Sequence, residues 1–214
     1  MPIFNGIEFI DESVGSILNQ EYEDWELLIG INGHPKNSNV YQIASAYEQN
    51  NSKIRVFDFY DIKGKSNALN ELVKHANADY IALLDVDDIW TENKLKMQSV
   101  FLYNYDVIGS KCVYFGEIEG VVPDIPMGDV SEVDFKSVNP IINSSSIIRK
   151  ELCHWDSIFD SCEDYELWLR LRKNQKKFYN LNEITVKHRI HASSSFNGTN
   201  KQNDCLNILK NLYW

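Results

Sequence analysis

The polar and apolar positions change period repeatedly through the first hundred residues. Trp25-Glu26-Leu27-Leu28-Ile29-Gly30-Ile31, Ile54-Arg55-Val56-Phe57 and Tyr80-Ile81-Ala82-Leu83-Leu84 are short apolar runs, and each predicts a strand. Helical spacing lies between them, near Val40 to Gln49 and again at Ala68, Leu69, Leu72, Val73 and Ala76. Pro2-Ile3-Phe4 reads as the end of a strand entering an Asn5-Gly6 turn, after which Asp11 is placed to cap a helix through about Asn19. Strands alternating with helices predict a doubly wound α/β fold, Rossmann-like, around a mainly parallel central sheet. Later in the chain Val107 to Gly109, Cys112 to Phe115, Asn143 to Ile148 and Ile184 to Ile190 suggest strands, and Glu163 to Arg172 and Gln202 to Leu212 suggest helices. Gly116 to Asp134, rich in Gly, Pro and acids, reads as a mobile loop or hairpin. No repeat or flexible linker divides the chain, so one domain over residues 1–214 is expected.

Composition narrows the classes. With 214 residues, 43% of them apolar, the chain is long enough for a sizeable core. Its formal charge of -10 opposes binding to phosphate backbones or anionic bilayers, so nucleic acid is not an expected partner. No apolar stretch approaches the roughly 20 residues of a membrane span, and the first residues lack a signal-peptide pattern. A soluble, cytoplasmic chain without a transmembrane segment is expected. Cys112, Cys153, Cys162 and Cys205 form no C-x-x-C pair, and reduced structural thiols are the expectation. Asn50, Asn143 and Asn197 begin N-x-S/T triplets that carry no functional weight without a secretory signal.

Four constellations carry candidate chemistry. Asp85-Val86-Asp87-Asp88 follows an apolar run, where an open α/β sheet holds ligands. Carboxylates this close repel one another, so they are easiest to keep charged beside a divalent, oxygen-loving cation such as Mg²⁺ or Mn²⁺. The plainer alternative is a polar turn in which Asp88 or Thr91 caps the next helix. Lys63 and Lys65 flank Gly64 ahead of a helix whose N-terminal amides suit phosphate oxygens, without P-loop spacing; a solvated lysine pair is the alternative. Glu163-Asp164 opens a helix, where the dipole favours an ionised carboxylate and hence a general base, although capping acids are far commoner. In Lys187-His188-Arg189-Ile190-His191, alternation sets Arg189 and His191 on one face and His188 on the other. A histidine there suits a metal shell and an arginine a diphosphate; surface residues on an edge strand are the alternative.

Taken together, Pro2-Ile3-Phe4-Asn5-Gly6, Lys63-Gly64-Lys65-Ser66-Asn67-Ala68-Leu69-Asn70, Asp85-Val86-Asp87-Asp88-Ile89-Trp90, Glu163 to Arg170 and Arg189-Ile190-His191 resemble the family 2 glycosyltransferases in order and approximate separation. The resemblance spans nearly the whole chain. It implies a GT-A fold with a small antiparallel element on the acceptor side, and a division into a nucleotide-sugar half (about 1–95) and an acceptor and catalytic-base half (about 96–214). It implies a nucleotide-diphosphate sugar donor, Mn²⁺ or Mg²⁺ held through a D-x-D motif, and inverting transfer of a hexose to a hydroxyl of a glycan or glycoconjugate. By that likeness Asp87 is the direct metal ligand, Asp85 contacts ribose or a metal-bound water, and Asp88 is secondary. Asp164 matches the catalytic base with Glu163 beside it, and His191 the position that joins the metal or diphosphate. Pro2, Phe4, Asn5, Asn32, Lys63, Lys65, Asn67, Val86 and Arg189 fall on the donor side. Asn139-Pro140 and Ser144 to Ser146 lead into the acceptor side.

Two departures stand out. The family usually has more strand residues before the Pro-x-x-Asn-Gly turn, so the first strand is expected to be a stub. Ile31-Asn32-Gly33-His34 stands where relatives commonly carry two acids, leaving Asn32 as the nearest polar group for a nucleobase. UDP-sugar is the first expectation, with dTDP and GDP sugars open. The rivals are a haloacid-dehalogenase-like phosphatase, whose D-x-D-x-T/V motif is not matched here, and a degenerate transferase that binds donor without turnover. The end at Tyr213-Trp214 is equally consistent with part of a longer protein.

Overall fold

A computed structural model of the chain describes residues 1–192 and 200–213. Its first half alternates strands and helices as the periodicity predicts: β1 (Pro2–Ile3), α1 (Ile10–Leu18), β2 (Leu27–Asn32), α2 (Asn39–Asn50), β3 (Ile54–Phe59), α3 (Lys65–His75) and β4 (Tyr80–Ala82). There follow β5 (Ile89–Trp90), α4 (Lys94–Ser99), β6 (Val107–Gly116), β7 (Gly128–Asp129), β8 (Ile147–Arg149), α5 (Glu163–Lys173), β9 (Phe178–Ile190) and α6 (Asn200–Tyr213). β1, β2 and β3 form a parallel three-stranded sheet in that order. Ile29 and Ile31 of β2 are fully buried, as expected of a parallel strand covered on both faces.

The second sheet has six strands, ordered β4-β8-β6-β9-β5 with β7 beside β9. All its pairings are antiparallel except β6 with β9, so the antiparallel part of the fold is more extensive than the sequence suggests. Val107 to Gly109 and Cys112 to Phe115 are one strand: register shifts at Ser110/Lys111 and Lys111/Cys112 absorb the polar interruption as a bulge. β9 likewise begins at Phe178 and reaches back past the predicted start at Ile184. It runs inside the sheet between β6 and β5, which rules out an edge strand for His188, while His191 follows its last residue.

Asp11 lies in the first turn of α1 and does not cap it, because a 3₁₀ turn over Ile7–Phe9 leads directly into the helix and Phe9 takes the cap position. Asp11 instead accepts a hydrogen bond from the Tyr47 hydroxyl. Asn143–Ser145 is a 3₁₀ turn and the strand starts only at Ile147. The segment from Gly116 to Asp134 is tied down at both ends, by Glu117 N donating to Ile190 O (2.9 Å) and by β7 pairing with β9. Cys162 and Cys205 form a disulfide, which corrects the expectation of reduced thiols throughout; α6 packs against the start of α5 and brings together two cysteines 43 residues apart. Cys112 and Cys153 are free. Among the described residues no helix is long and apolar enough to cross a membrane. Ser193, Ser194, Ser195 and the Asn197 triplet lie outside the described residues.

Candidate active site

The carboxylates sit on a tight turn between β4 and β5. Buried Leu83, Leu84, Val86 and Trp90 fasten the turn from below, and Asp88 N closes it onto Asp85 O at 3.1 Å. The segment before β8 braces it: Asp85 N donates to Ser144 Oγ (3.2 Å) and Trp90 Nε1 to Ser144 O (2.7 Å). Val86 packs against the loop after β1, where a Cβ at Gly6 would stand 2.9 Å from its Cγ1.

The three aspartates have three different surroundings. Asp85 pairs with Lys65 Nζ at 2.9 Å and accepts from Asn143 Nδ2 at 2.9 Å. Burial alone would raise its pKa, but the Lys65 charge and hydrogen bond, with the Asn143 bond, hold the carboxyl below its ordinary range. Asp87 moves the other way, raised by burial and by the charges of Asp88 and Asp85, against the opposing pull of the His191 hydrogen bond. Its Oδ2 lies 3.0 Å from His191 Nε2, and about a quarter of the side chain is open to solvent. Asp88 is buried and accepts from Arg189 N at 2.9 Å while facing His188 Nδ1 at 3.0 Å. It therefore fastens the turn to β9. Burial would lower the His188 pKa, but the Asp88 hydrogen bond and charge outweigh it and raise it.

Arg189 is a clamp on this turn. Its Nε donates to Asp87 O at 2.9 Å, its NH2 lies 2.9 Å from Glu12 Oε1, and the guanidinium is sandwiched between the Phe9 and Phe115 rings at 4.4 and 4.3 Å. Charge and stacking are thus engaged with the protein, whereas the sequence suggests a diphosphate contact.

Lys65 connects the two halves. Its Nζ meets Asp85 on one side and Glu163 Oε1 on the other, at 3.2 Å. Burial would lower its pKa, but Asp85 and Glu163 outweigh that and push it well above its ordinary value, so it is a fixed positive charge. Glu163 is buried, its other oxygen accepting from Ser161 N at 3.0 Å. Asp164 accepts from Tyr165 N at 2.8 Å. Burial and the neighbouring Glu163 charge raise the Asp164 pKa to about 6, against the opposing pull of Lys65. The helix N-terminus alone predicts a permanently ionised acid. Desolvation wins instead and tunes the group close to neutrality, which suits a general base better.

The α3 N-terminus is not an open phosphate cradle. Asp160 fills it, accepting from Ser66 N at 3.0 Å and from Ser66 Oγ at 2.5 Å. Gly64, at φ +85°, leaves room for that carboxylate, since a Cβ would stand 2.2 Å from Asp160 Oδ2. Gly64→Ala is therefore expected to cost roughly 2–3 kcal/mol, from left-handed strain and a lost cap, and the urea midpoint reports it. Asn67 Nδ2 donates to Lys63 O at 2.9 Å, and both residues line a pocket with Asp61, Asn70 and Lys74.

On the other flank Asn32 is buried at the end of β2 and reaches Gly64 O at 3.5 Å. Pro2 pairs in register with Gly30 and sets the loop that carries Asn5 and the 56% exposed Phe4, whose ring centroid lies 5.5 Å from that of His34. An open aromatic face beside a strand end suits a planar base. The sequence reading missed Asn143, set aside as a glycosylation triplet, and also Asp160, Glu12 and Phe115. None has a local signal, because each acts through a partner distant in sequence.

Among the described residues no three His, Cys, Asp or Glu side chains form a self-sufficient metal cage. Asp87 and His191 nonetheless fit a cation that keeps most of its shell for water and phosphate oxygens, the usual manner of Mg²⁺.

Residues 1–153 match the family model "Glycosyl transferase family 2". The chain is 29% identical over 202 residues to the Escherichia coli UDP-Glc:alpha-D-GlcNAc-diphosphoundecaprenol beta-1,3-glucosyltransferase WfgD, covering 91% of this chain and 77% of the relative. Among solved structures it resembles S. aureus TarS 1-349 in complex with UDP-GlcNAc, with TM-score 0.74, 15% identity and coverage of 97% of this chain and 63% of that one. It also resembles the mannosyltransferase PcManGT from Pyrobaculum calidifontis in complex with GDP-Man and Mn²⁺, with TM-score 0.68, 14% identity and coverage of 91% and 56%. Both likenesses concern the fold, and the chain spans about six-tenths of those two proteins.

Proposed function

The chain belongs to glycosyl transferase family 2 and is a glycosyltransferase of GT-A fold, and from that premise we propose that it moves a hexose from a nucleotide-diphosphate sugar, UDP-sugar first, to a hydroxyl of a glycan or glycoconjugate. The observation that carries this reading is Lys65, whose single ammonium joins Asp85 on the donor side to Glu163 on the acceptor side and places Asp164 in the same field. Donor and base carboxylates so joined make one reaction site.

Phe4 offers its ring and Asn32 its amide to the nucleobase, with Pro2, Asn5 and Val86 shaping the loop between them. Asp87 and His191 would hold Mn²⁺ or Mg²⁺, which would supply Lewis-acid stabilisation of the negative charge on the diphosphate leaving group. Arg189 and Asp88 keep the Asp87 backbone in place. Asp164 takes the proton from the acceptor hydroxyl as its oxygen bonds to the anomeric carbon. The bond from that carbon to the phosphate oxygen breaks on the opposite face, so configuration inverts. Lys65 stays charged and, bridging to Glu163, orients the base.

A UDP donor is supported by the relative's name and by the TarS complex, while the PcManGT complex keeps GDP sugars open. Calorimetric titration with UDP, dTDP and GDP, each with Mn²⁺ and with chelator, tests the proposal, followed by sugar-release assays on the nucleotide that binds. UDP is expected to bind only with metal and its sugar to be released slowly. Binding of none would overturn the reading.

A further inference from the structure

Ser144, Ser145 and Ser146, just ahead of β8, are buried, and polar groups are stable there only when bonded. Their three consecutive carbonyls are each held by a different part of the fold: Ser144 O by Trp90 Nε1 of β5, Ser145 O by Gln98 Nε2 of α4 at 2.7 Å, and Ser146 O by Leu83 N beyond β4 at 3.0 Å. The Gln98 amide is itself oriented, since its Nε2 also reaches Ile108 O at 3.3 Å and its Oε1 accepts from the buried Lys94 Nζ at 2.5 Å. Ser145 Oγ accepts from Ser110 N at 3.1 Å, and Ser146 Oγ donates to Asn143 O at 2.8 Å. These bonds fix the turn, and of residues 143–146 only Asn143 is not buried.

The way the Asn143 amide faces is dictated by its neighbour. Asp85, paired with Lys65, is an acceptor only, so the amide turns Nδ2 toward it and Oδ1 away. Among the described residues Oδ1 has no partner. The chain arrives at Asn143 from Phe135, whose carbonyl accepts from the Tyr165 hydroxyl at 2.6 Å, beside Asp164. Asp85 in turn is joined through Lys65 to Glu163. Asn143 therefore borders the span between Asp87 and Asp164, which the transferred hexose has to occupy if the diphosphate leaves at one end and the acceptor hydroxyl is deprotonated at the other. Phosphate oxygens accept hydrogen bonds, as Oδ1 does, so the partner of Oδ1 has to bring a proton, and a sugar hydroxyl brings one.

We propose that Asn143 selects the transferred sugar, its Oδ1 accepting a hydrogen bond from one hydroxyl of the hexose. This rests on the donor reading above. The bond to Asp85 and the fastened serine turn keep the amide from rotating to offer N–H instead, so the site is built in advance for a hydroxyl at one carbon. A sugar that lacks it leaves Oδ1 unpaired and binds less well.

The test measures Kd, with Mn²⁺, for UDP-glucose or UDP-galactose, whichever the wild-type chain binds more tightly, and for its analogues lacking one sugar hydroxyl. One analogue is expected to bind the wild-type chain about tenfold more weakly than its parent, the worth of one hydrogen bond. Asn143→Ala, and Asn143→Ser, which suits a turn of serines, are expected to bind that analogue and its parent alike. Asn143→Asp keeps an acceptor oxygen and loses the N–H, and is expected to bind both more weakly yet retain the discrimination. Each ratio compares two ligands on one protein, so a general loss of order cancels from it. Full discrimination kept by Asn143→Ala or Asn143→Ser would overturn the proposal. Its loss in Asn143→Asp as well would overturn it too, making Asn143 a support of Asp85 alone. So would a lost preference of Asn143→Ala for UDP over 2′-deoxy-UDP with sugar discrimination intact, which would assign the hydroxyl to ribose. A wild-type chain that binds UDP but treats all the sugar analogues alike overturns this proposal and leaves the donor reading standing; one that binds neither UDP nor UDP-sugar overturns both.

Discussion

Asp164→Asn is expected to lower the transfer rate by roughly 10²–10⁴-fold, the usual contribution of a positioned base, while donor affinity changes less than about twofold. The substitution keeps shape and removes the proton acceptor. Because burial and Glu163 hold the wild-type carboxyl near 6, transfer should fall as pH drops through that value, whereas the residual activity of the variant should lose this limb. Stability should move in the opposite sense. The folded protein binds more protons than the unfolded chain between the ordinary carboxylate pKa and about 6, so ionising Asp164 costs stability as pH rises through that window. Asp164→Asn should therefore stabilise the fold at neutral pH by roughly 1–3 kcal/mol and leave it unchanged below pH 4. Thermal melts at the two pH values check this. A variant that loses donor affinity as steeply as rate would show that Asp164 shapes the donor site instead.

Asp87→Ala is expected to remove the metal-dependent part of donor affinity, about 100-fold, and transfer with it. Asp87 is the partly open carboxylate of the turn, while Lys65 occupies Asp85 and the fold buries Asp88. Removing it also relieves the repulsion among the three acids, so the variant should melt no lower than the parent without metal. Titration of UDP with Mn²⁺ and with chelator measures the effect; an unchanged difference between the two would transfer the ligand role to another residue.

The first half of the fold was legible because its strands are continuous apolar runs and its helices keep period. Ile29, Ile31, Leu69 and Leu72 declare their burial in their spacing. The second half was less so: the bulge at Ser110-Lys111 divides one strand into two apparent ones, and Phe178 to Leu181 follows a lysine-rich turn that hides its join to Ile184. At the proposed site, Asp85, Asp87, Asp164, Lys65 and His191 were singled out by residue type, order and spacing. What those cannot contain is partnership. Arg189 reads as a free cation until Glu12, Phe9 and Phe115 are seen around it, and the α3 N-terminus reads as open until Asp160 is seen in it. Both partnerships join elements far apart in sequence, and local pattern is silent about them.

The bond between Cys162 and Cys205 makes the identity of the molecule depend on its solvent. It anchors the cap residue of α5, two positions before Asp164, to the C-terminal helix. Closing a loop of this length restricts the unfolded chain by about 4 kcal/mol in the chain-entropy picture. Protein purified with a thiol reductant and protein purified without one are therefore different samples, and a rate or melting temperature measured on one does not describe the other.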